Sequence, residues 1–319
     1  MRVLVTGGMG FIGSNFIRMM LKKHPACEIV NFDKLTYAGN TANLKGADKS
    51  KKYSFIKGDV CDHNAVKKAI AGADAVVHFA AESHVDRSIG DPDEFVRTNM
   101  LGTQVLLFES LKAGVKKFVQ ISTDEVYGSI RRGSFKETDA FNPSSAYSAS
   151  KAGADLLALA YHRTYGLPLV VTRSTNNFGP YQHPEKLIPR FVTNALRGKP
   201  LPVYGTGKNV RDWLYVGDNC EAIDLVLRSG RNGEAYNVGA GNEVPNIEIT
   251  KKILKITEKP ESLINFVKDR PGHDWRYSVD AKKIRSLGWK PGHSFEAALA
   301  ATVKWYAENE WWWRPLARD

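Results

Sequence analysis

A short apolar run that passes straight into a glycine turn and a helical pattern constrains this chain more than any other feature. Arg2-Val3-Leu4-Val5-Thr6 leads into Gly7-Gly8-Met9-Gly10-Phe11-Ile12-Gly13, and a helical stretch begins at Ser14. The literal Gly-x-Gly-x-x-Gly spacing is Gly8, Gly10, Gly13; an overlapping set is Gly7, Gly10, Gly13. Glycines permit the tight turn and let backbone approach a pyrophosphate. The helix N-terminus adds free N–H groups and the positive end of a dipole. Asp33 stands 20 residues beyond Gly13, where a second strand should end. An acid there accepts from both ribose hydroxyls and repels a 2′-phosphate, which favours NAD over NADP.

Short runs rich in Val, Ile and Phe alternate with helical patterns through the first half. They predict strands at 2–6, 28–32, 53–56, 75–79, 117–122 and 168–173. The runs are apolar throughout, as in a parallel sheet covered on both faces. The expected class is therefore α/β, a doubly wound parallel sheet of Rossmann type, with ligands beyond the carboxyl ends of its strands. Gly58-Asp59-Val60 follows the third strand and offers Asp59 to an adenine. Phe79-Ala80-Ala81-Glu82-Ser83 follows the fourth, where small residues let a cofactor lie against backbone.

Beyond about residue 175 the alternation weakens and prolines punctuate the chain. Residues 1–175 read as the NAD-binding part. Residues 176–319 read as a smaller substrate-binding part, interleaved with strands near 213–216 and 235–239 that return to the sheet. No linker and no internal repeat separates the two, so a ligand between them is expected.

Composition narrows the class. The chain has 319 residues, 43% hydrophobic and 25% charged, an ordinary globular balance. No run approaches a membrane span, and no basic-plus-apolar leader precedes the first strand, so a cytoplasmic location is expected. Cys27, Cys61 and Cys220 are far apart and odd in number; they suit a reducing compartment and give no metal spacing. The net charge of +11 comes from scattered lysine pairs without a nucleic-acid-binding motif. It reads as a solvated surface that also attracts an anionic small substrate, not as a nucleic-acid site.

The chemistry concentrates in Ser122-Thr123-Asp124-Glu125-Val126-Tyr127-Gly128, at the end of an apolar strand, and in Tyr147-Ser148-Ala149-Ser150-Lys151. If Pro143-Ser144-Ser145 opens a helix, Tyr147 and Lys151 share one face. An ammonium and a nicotinamide ring should lower the phenol's pKa, fitting it to act as a base towards a substrate hydroxyl. Two carboxyls in one site should titrate apart. That physics lets one keep its proton without saying which. The plainer alternative makes Asp124 a helix cap and Glu125 half of a surface salt bridge.

With these residues in view, the chain resembles the extended short-chain dehydrogenase/reductase family, and within it the dTDP-glucose 4,6-dehydratases. The likeness spans essentially the whole chain. It rests on the glycine turn, Asp33-Lys34-Leu35-Thr36-Tyr37-Ala38-Gly39-Asn40 and Ala81-Glu82-Ser83-His84-Val85-Asp86-Arg87-Ser88. It continues through the Thr-Asp-Glu run, Asn176-Asn177-Phe178-Gly179-Pro180-Tyr181, Pro184-Glu185-Lys186-Leu187-Ile188-Pro189, Arg211-Asp212-Trp213 and Asp269-Arg270-Pro271-Gly272-His273-Asp274. The resemblance implies transient oxidation at sugar C4, loss of water across C5 and C6, and hydride return. It implies Tyr147 as the C4-hydroxyl base, with Lys151 beside it, Glu125 as the C5 base and Asp124 as the acid for water loss. Thr123 would bond the C4 oxygen. Around the cofactor it adds Phe11, Ile12, Lys34, Thr36, Val60, Ser83, Thr98 and Asn177 to the glycines, Asp33, Asp59, Ala80 and Ala81. It also implies a homodimer.

A nucleotide diphosphate needs cations and a platform for its base. Arg211 and Arg270 can fork onto phosphate, Lys186 supplies a point charge, and Asn176 and Asn246 offer amides. Pro202 and Tyr204 can flank a pyrimidine. The resemblance implies such roles for these residues and extends the set to Ser83, His84, Leu187 and Asp269 to His273. Phe178 and His183 stand where relatives often carry Tyr and Phe, and Arg190 where an apolar residue is usual. The Trp311-Trp312-Trp313 tail reads as docking on the protein's own surface rather than on a partner. Other classes remain weighed. An epimerase or decarboxylase of UDP-sugars would not need the adjacent acids. A regulatory NAD-binding protein with a dead site would not need an intact Tyr147/Lys151.

Overall fold

The computed structural model describes residues 1–317. Its strands are β1 (Arg2–Thr6), β2 (Glu28–Asp33), β3 (Tyr53–Lys57), β4 (Ala75–His78), β5 (Lys117–Thr123), β6 (Leu169–Ser174), β7 (Asn176–Phe178), β8 (Leu201–Tyr204), β9 (Val210–Tyr215), β10 (Ala235–Val238), β11 (Glu243–Pro245) and β12 (Ile264–Val267). Seven form one parallel sheet in the order β10-β6-β5-β4-β1-β2-β3. The chain runs outward from β1 in one direction to β3, then reverses through β4. The reversal opens a crevice over the carboxyl end of β1.

Apolar runs without alternation form the central strands of this sheet because helices cover both faces, while β3 at its edge is half exposed. Val3 and Val5 point into one layer with Phe16, Ile17, Ile223 and Val226. Leu4 points into the other with Val66, Val105 and Leu107. All three β1 side chains are fully buried, each worth roughly 1.5–3 kcal/mol.

Of the two strands expected to return to this sheet, β10 does so, pairing in parallel with β6. The strand near 213–216 does not, and that expectation is corrected. It is β9, which pairs antiparallel with β11 and parallel with β7 in a separate three-stranded sheet. β10 already fills the free edge of β6, so β9 finds its partner in β7, which lies just past the end of β6. β8 and β12 form a further two-stranded pair.

A third core lies in the C-terminal half, built from Phe178, Ile188, Phe191, Trp213, Ile249 and Tyr306. Trp312 and Trp313 belong to it at 3% and 1% exposure, while Trp311 stays 51% exposed. Two of the three tail indoles therefore dock on the protein itself. No helix among the described residues is long and apolar enough to cross a membrane.

Candidate active site

The glycine turn sits at the carboxyl end of β1. Gly7 has φ +70°, and a Cβ there would come within 2.5 Å of the Ala80 nitrogen. A Cβ on Gly13 would lie 2.4 Å from the Gly7 carbonyl oxygen. Gly7, Gly10 and Gly13 line the crevice. Gly8 instead packs inward on Asn31 and Ile17. The overlapping spacing is the one that faces a ligand; the literal one includes a packing glycine. Helix Phe11–Lys23 opens at Gly10 with no side-chain cap, which leaves its first N–H groups to the crevice.

Asp33 ends β2. Its Oδ2 accepts from the Met9 N–H at 2.9 Å and its Oδ1 from the Leu35 N–H at 2.7 Å. Burial raises its pKa, opposed by those two hydrogen bonds. A carboxylate has about four acceptor positions, so Asp33 keeps capacity for a diol. Asp59 accepts from the Cys61 N–H at 2.9 Å and pairs with Lys34 at 3.0 Å. Burial works to raise it, but those partners outweigh burial and lower it. Every residue expected at the cofactor lines this crevice, from Phe11 and Ile12 through Thr36, Val60, Ala81, Thr98 and Asn177. The side-chain oxygens of Asn176 and Asn177 are buried without a protein partner. The narrow glycine turn, the free helix N-terminus and the half-used Asp33 fit a dinucleotide with an unphosphorylated ribose. Gly58, Ser174, Thr175 and Gln182 line it too; as small or polar residues at strand ends they carried no distinctive sequence signal.

The reacting groups meet where β5 stops. Helix Ala146–Tyr165 is capped by a reciprocal Ser145/Ser148 box, which sets Tyr147 and Lys151 on one face. Lys151 Nζ donates to the Ile121 carbonyl at 2.6 Å. Burial pushes Lys151 down to about 8. The Tyr147 phenol is held well above its ordinary value, first by burial and then by the Glu125 charge, with the Thr123 hydroxyl pulling the other way. The expected lowering is therefore not a property of the protein groups alone. Burial and the charges of Glu125, Asp124 and Asp155 all raise it; a cationic nicotinamide ring is the remaining part of that expectation.

Thr123 caps a single 3₁₀ turn, Asp124–Tyr127. Its hydroxyl accepts from the Glu125 N–H at 3.2 Å and donates to Asp124 Oδ1 at 3.2 Å. The cap is thus Thr123 and not Asp124. Asp124 is 3% exposed and its Oδ2 has no partner. Burial, then Glu125, then Asp212 push Asp124 well above the carboxylate range. Burial also raises Glu125, but Arg270, Arg211 and Lys186 draw it back. Both carboxyls are pushed towards the protonated form, Asp124 the further of the two, in the direction of the acid role the resemblance implies for it. Glu125 faces the site and forms no surface salt bridge among the described residues.

A second cavity adjoins the first, and Ser83, Glu125, Asn176 and Lys186 line both. It brings together His84, Leu187, Pro202, Tyr204, Arg211, Asn246, Arg270 and His273. Asp269 does not line it; it stands behind His273, whose Nδ1 lies 2.6 Å from Asp269 Oδ1. Arg211 is fixed by donation to the Asp274 carbonyl at 3.0 Å and lies over Tyr277, 4.3 Å from the ring centroid. Tyr204 donates to Asp86 at 3.2 Å, and Arg270 pairs with the same carboxylate at 3.2 Å. Asp86, Tyr277 and Arg190 line the cavity although none was expected as a ligand group. Asp86 lay inside a quoted motif but carried no assigned role. Lys186 Nζ donates to the Ser83 carbonyl at 2.7 Å, tying the two halves at the seam. Among the described residues no His/Cys/Asp/Glu group could hold a metal ion.

The chain is similar to known proteins over almost its whole length. A family model described as GDP-mannose 4,6 dehydratase matches residues 4–302. A dTDP-glucose 4,6-dehydratase of Streptomyces niveus is 52% identical, covering 99% of this chain and 96% of that protein. The low-salt glycan biosynthesis protein Agl12 of Haloferax volcanii is 54% identical, covering 97% and 100%. Among solved structures, DesIV, a dTDP-glucose 4,6-dehydratase of Streptomyces venezuelae with NAD and TYD bound, superposes with a TM-score of 0.97. It is 53% identical, over 99% of this chain and all of that one.

Proposed function

The chain belongs to the GDP-mannose 4,6 dehydratase family, and on that premise we propose that it dehydrates dTDP-glucose to the 4-keto-6-deoxy sugar nucleotide with bound NAD. One observation carries the reading. Two adjacent carboxyls, Asp124 and Glu125, stand beside a buried Tyr/Lys pair, and Glu125 lies on the seam of a dinucleotide crevice and an anion-ready cavity.

Bound NAD would supply a hydride acceptor towards sugar C4 and, once reduced, a hydride donor towards C6. The residues of this chain do the rest. Residues 1–175 hold the cofactor; residues 176–319 provide most of the nucleotide-sugar site. Tyr147 takes the C4-hydroxyl proton, with the Lys151 ammonium nearby and the Thr123 hydroxyl bonded to the C4 oxygen. A C4 ketone acidifies the C5–H, which Glu125 removes. Asp124, kept neutral by burial and its acidic neighbours, gives its proton to the departing C6 hydroxyl. Glu125 would then return its proton to C5 while C6 takes back the hydride, and the C4-hydroxyl proton held by Tyr147 offsets the one Asp124 gave, so that the net change is a redox-neutral loss of water. Arg211, Arg270 and Lys186 face the diphosphate, and Pro202 and Tyr204 flank the base.

The test is incubation with dTDP-glucose, followed by the alkaline absorbance of the 4-keto sugar. A signal is expected. No signal together with turnover of a UDP-sugar moves the assignment to an epimerase or decarboxylase.

We also propose that two copies pair. Ile89, Val96, Leu101 and Leu156 are 46–60% exposed on adjoining helical segments, where the Met100 side chain packs on Gly153. Light scattering should return twice the chain mass; a monomer refutes this. A cytoplasmic setting is supported by three free cysteines, two of them buried.

A further inference from the structure

The tryptophan tail does more than fill a core. The Trp312 indole N–H donates to Asn43 Oδ1 at 2.8 Å, across 269 residues of sequence. The Asn43 amide in turn donates to the Met9 carbonyl at 2.8 Å. The Met9 N–H donates to Asp33 Oδ2 at 2.9 Å. Met9 is the middle of the glycine turn, and Asp33 is the carboxylate that fits the ribose. We infer that Trp312 is a positioning residue for the dinucleotide, holding the glycine turn and Asp33 in register through Asn43.

Both ends of the Met9 residue are pinned by this chain of bonds. The Asn40 N–H adds a second donor to the Met9 carbonyl at 3.0 Å. Asn43 is 1% exposed, so its side-chain oxygen has no water to turn to if the indole N–H is lost. Arg18, on the helix that the turn opens, donates to the Asn43 backbone carbonyl at 2.7 Å. The Trp312 ring also meets Tyr181 edge-on at 5.7 Å. Tyr181 sits four residues beyond Asn177, another residue of the crevice. The indole thus bears on the turn from one side and on the 177–182 segment from the other. Trp311 serves as an internal control. It lies outside, stacked under Lys45 at 4.7 Å, and its N–H bonds only Asn309 in its own tail.

The inference rests on the cofactor reading above, and the experiment separates the two. NAD is titrated calorimetrically into the cofactor-stripped wild-type protein, W312F, W311F, N43A and the W312F/N43A double variant. W312F keeps an aromatic ring and removes the N–H. Its NAD dissociation constant should rise about ten-fold, the usual effect of stranding a buried acceptor. KM for the sugar nucleotide at saturating NAD should not move, and W311F should bind like wild type. In the N43A background W312F should cost little more, because the link it breaks is already gone. Equal NAD affinity of W312F and wild type, or full additivity in the double variant, overturns the inference. A wild-type protein that takes up no NAD overturns the cofactor reading itself. If W312F fails to fold, N43A alone must show the weakening, and unchanged affinity there is refutation.

Discussion

Asp124→Asn tests the chemistry and the electrostatics in one protein. Asparagine copies the shape of a neutral carboxyl. It keeps an acceptor for Thr123 Oγ1, now at 3.2 Å from Asp124 Oδ1, and it has no proton to give. Ground-state binding should therefore survive while water loss stalls. A general acid commonly contributes about 10²–10⁴ in rate, so kcat should fall by that factor, roughly 3–5 kcal/mol of barrier, with KM little changed. Oxidation at C4 does not need Asp124. Reduced nicotinamide should thus accumulate after mixing with substrate, visible as its near-ultraviolet absorbance in stopped flow.

The same substitution should stabilise the fold, and the sign follows from linkage. The folded pKa of Asp124 lies well above its unfolded value. Folding therefore takes up a proton once pH exceeds the ordinary carboxylate range, and wild-type stability falls as pH rises towards the folded pKa. The amide of the Asp124→Asn variant needs no proton. Its advantage should grow across that window by about 1.4 kcal/mol per pH unit for one proton. Denaturant unfolding at several pH values from about 4 to neutrality reads the difference directly. Parallel stability curves for variant and wild type, or normal water loss by the variant, would refute the assignment of Asp124 as the proton-holding acid.

Glu125→Gln should abolish solvent-isotope exchange at C5 yet leave C4 oxidation, as followed by mass spectrometry and stopped flow. In the wild type Glu125 must be ionised to act and its pKa is raised, so kcat should fall on acidification at a pH above the usual glutamate range. Asp212→Asn removes one of the charges that raise Asp124; the alkaline limb of the kcat profile should move to lower pH. Asp155→Ala strands the guanidinium of Arg173, which is 2% exposed and paired at 2.9 Å, and should cost about 3–5 kcal/mol in denaturant unfolding.

The strands of the first half were legible because most are apolar on both faces, a pattern that needs no knowledge of its neighbours; β3, at the sheet edge, is the half-exposed exception. The glycine turn and Asp33 were legible because their spacing reflects local geometry alone. What sequence could not settle depended on competition between distant segments. The pairing of β9 turned on β10 already holding the edge of β6. Asp269 lay in the same short segment as Arg270 and His273, and only folding shows it behind the histidine. The Tyr147 phenol is expected to be lowered by an ammonium and a nicotinamide ring together; the burial and the three acids that raise it among the protein groups arise from tertiary packing.

Adjacency of Asp124 and Glu125 was plain in the sequence, but their division of labour came only from the resemblance, and the turn that separates them explains why the residues alone did not give it. A strand continued through residue 125 would send the two side chains to opposite faces of the sheet, and only one could reach the crevice. Thr123 prevents that by ending β5 and capping a 3₁₀ turn, so both carboxyls line the same wall. They remain close enough for each charge to disfavour the other. One turn nonetheless gives them different surroundings: Asp124 meets the strand ends and Asp212, while Glu125 meets Arg270, Arg211 and Lys186 across the second cavity. Those three cations are also the groups placed to face a diphosphate. Their presence therefore draws Glu125 towards its ionised form, while for Asp124 burial and its acidic neighbours outweigh the pull of Arg211 and favour the protonated form. The cations that fit an anionic substrate thereby also bias which of two neighbouring acids is the base.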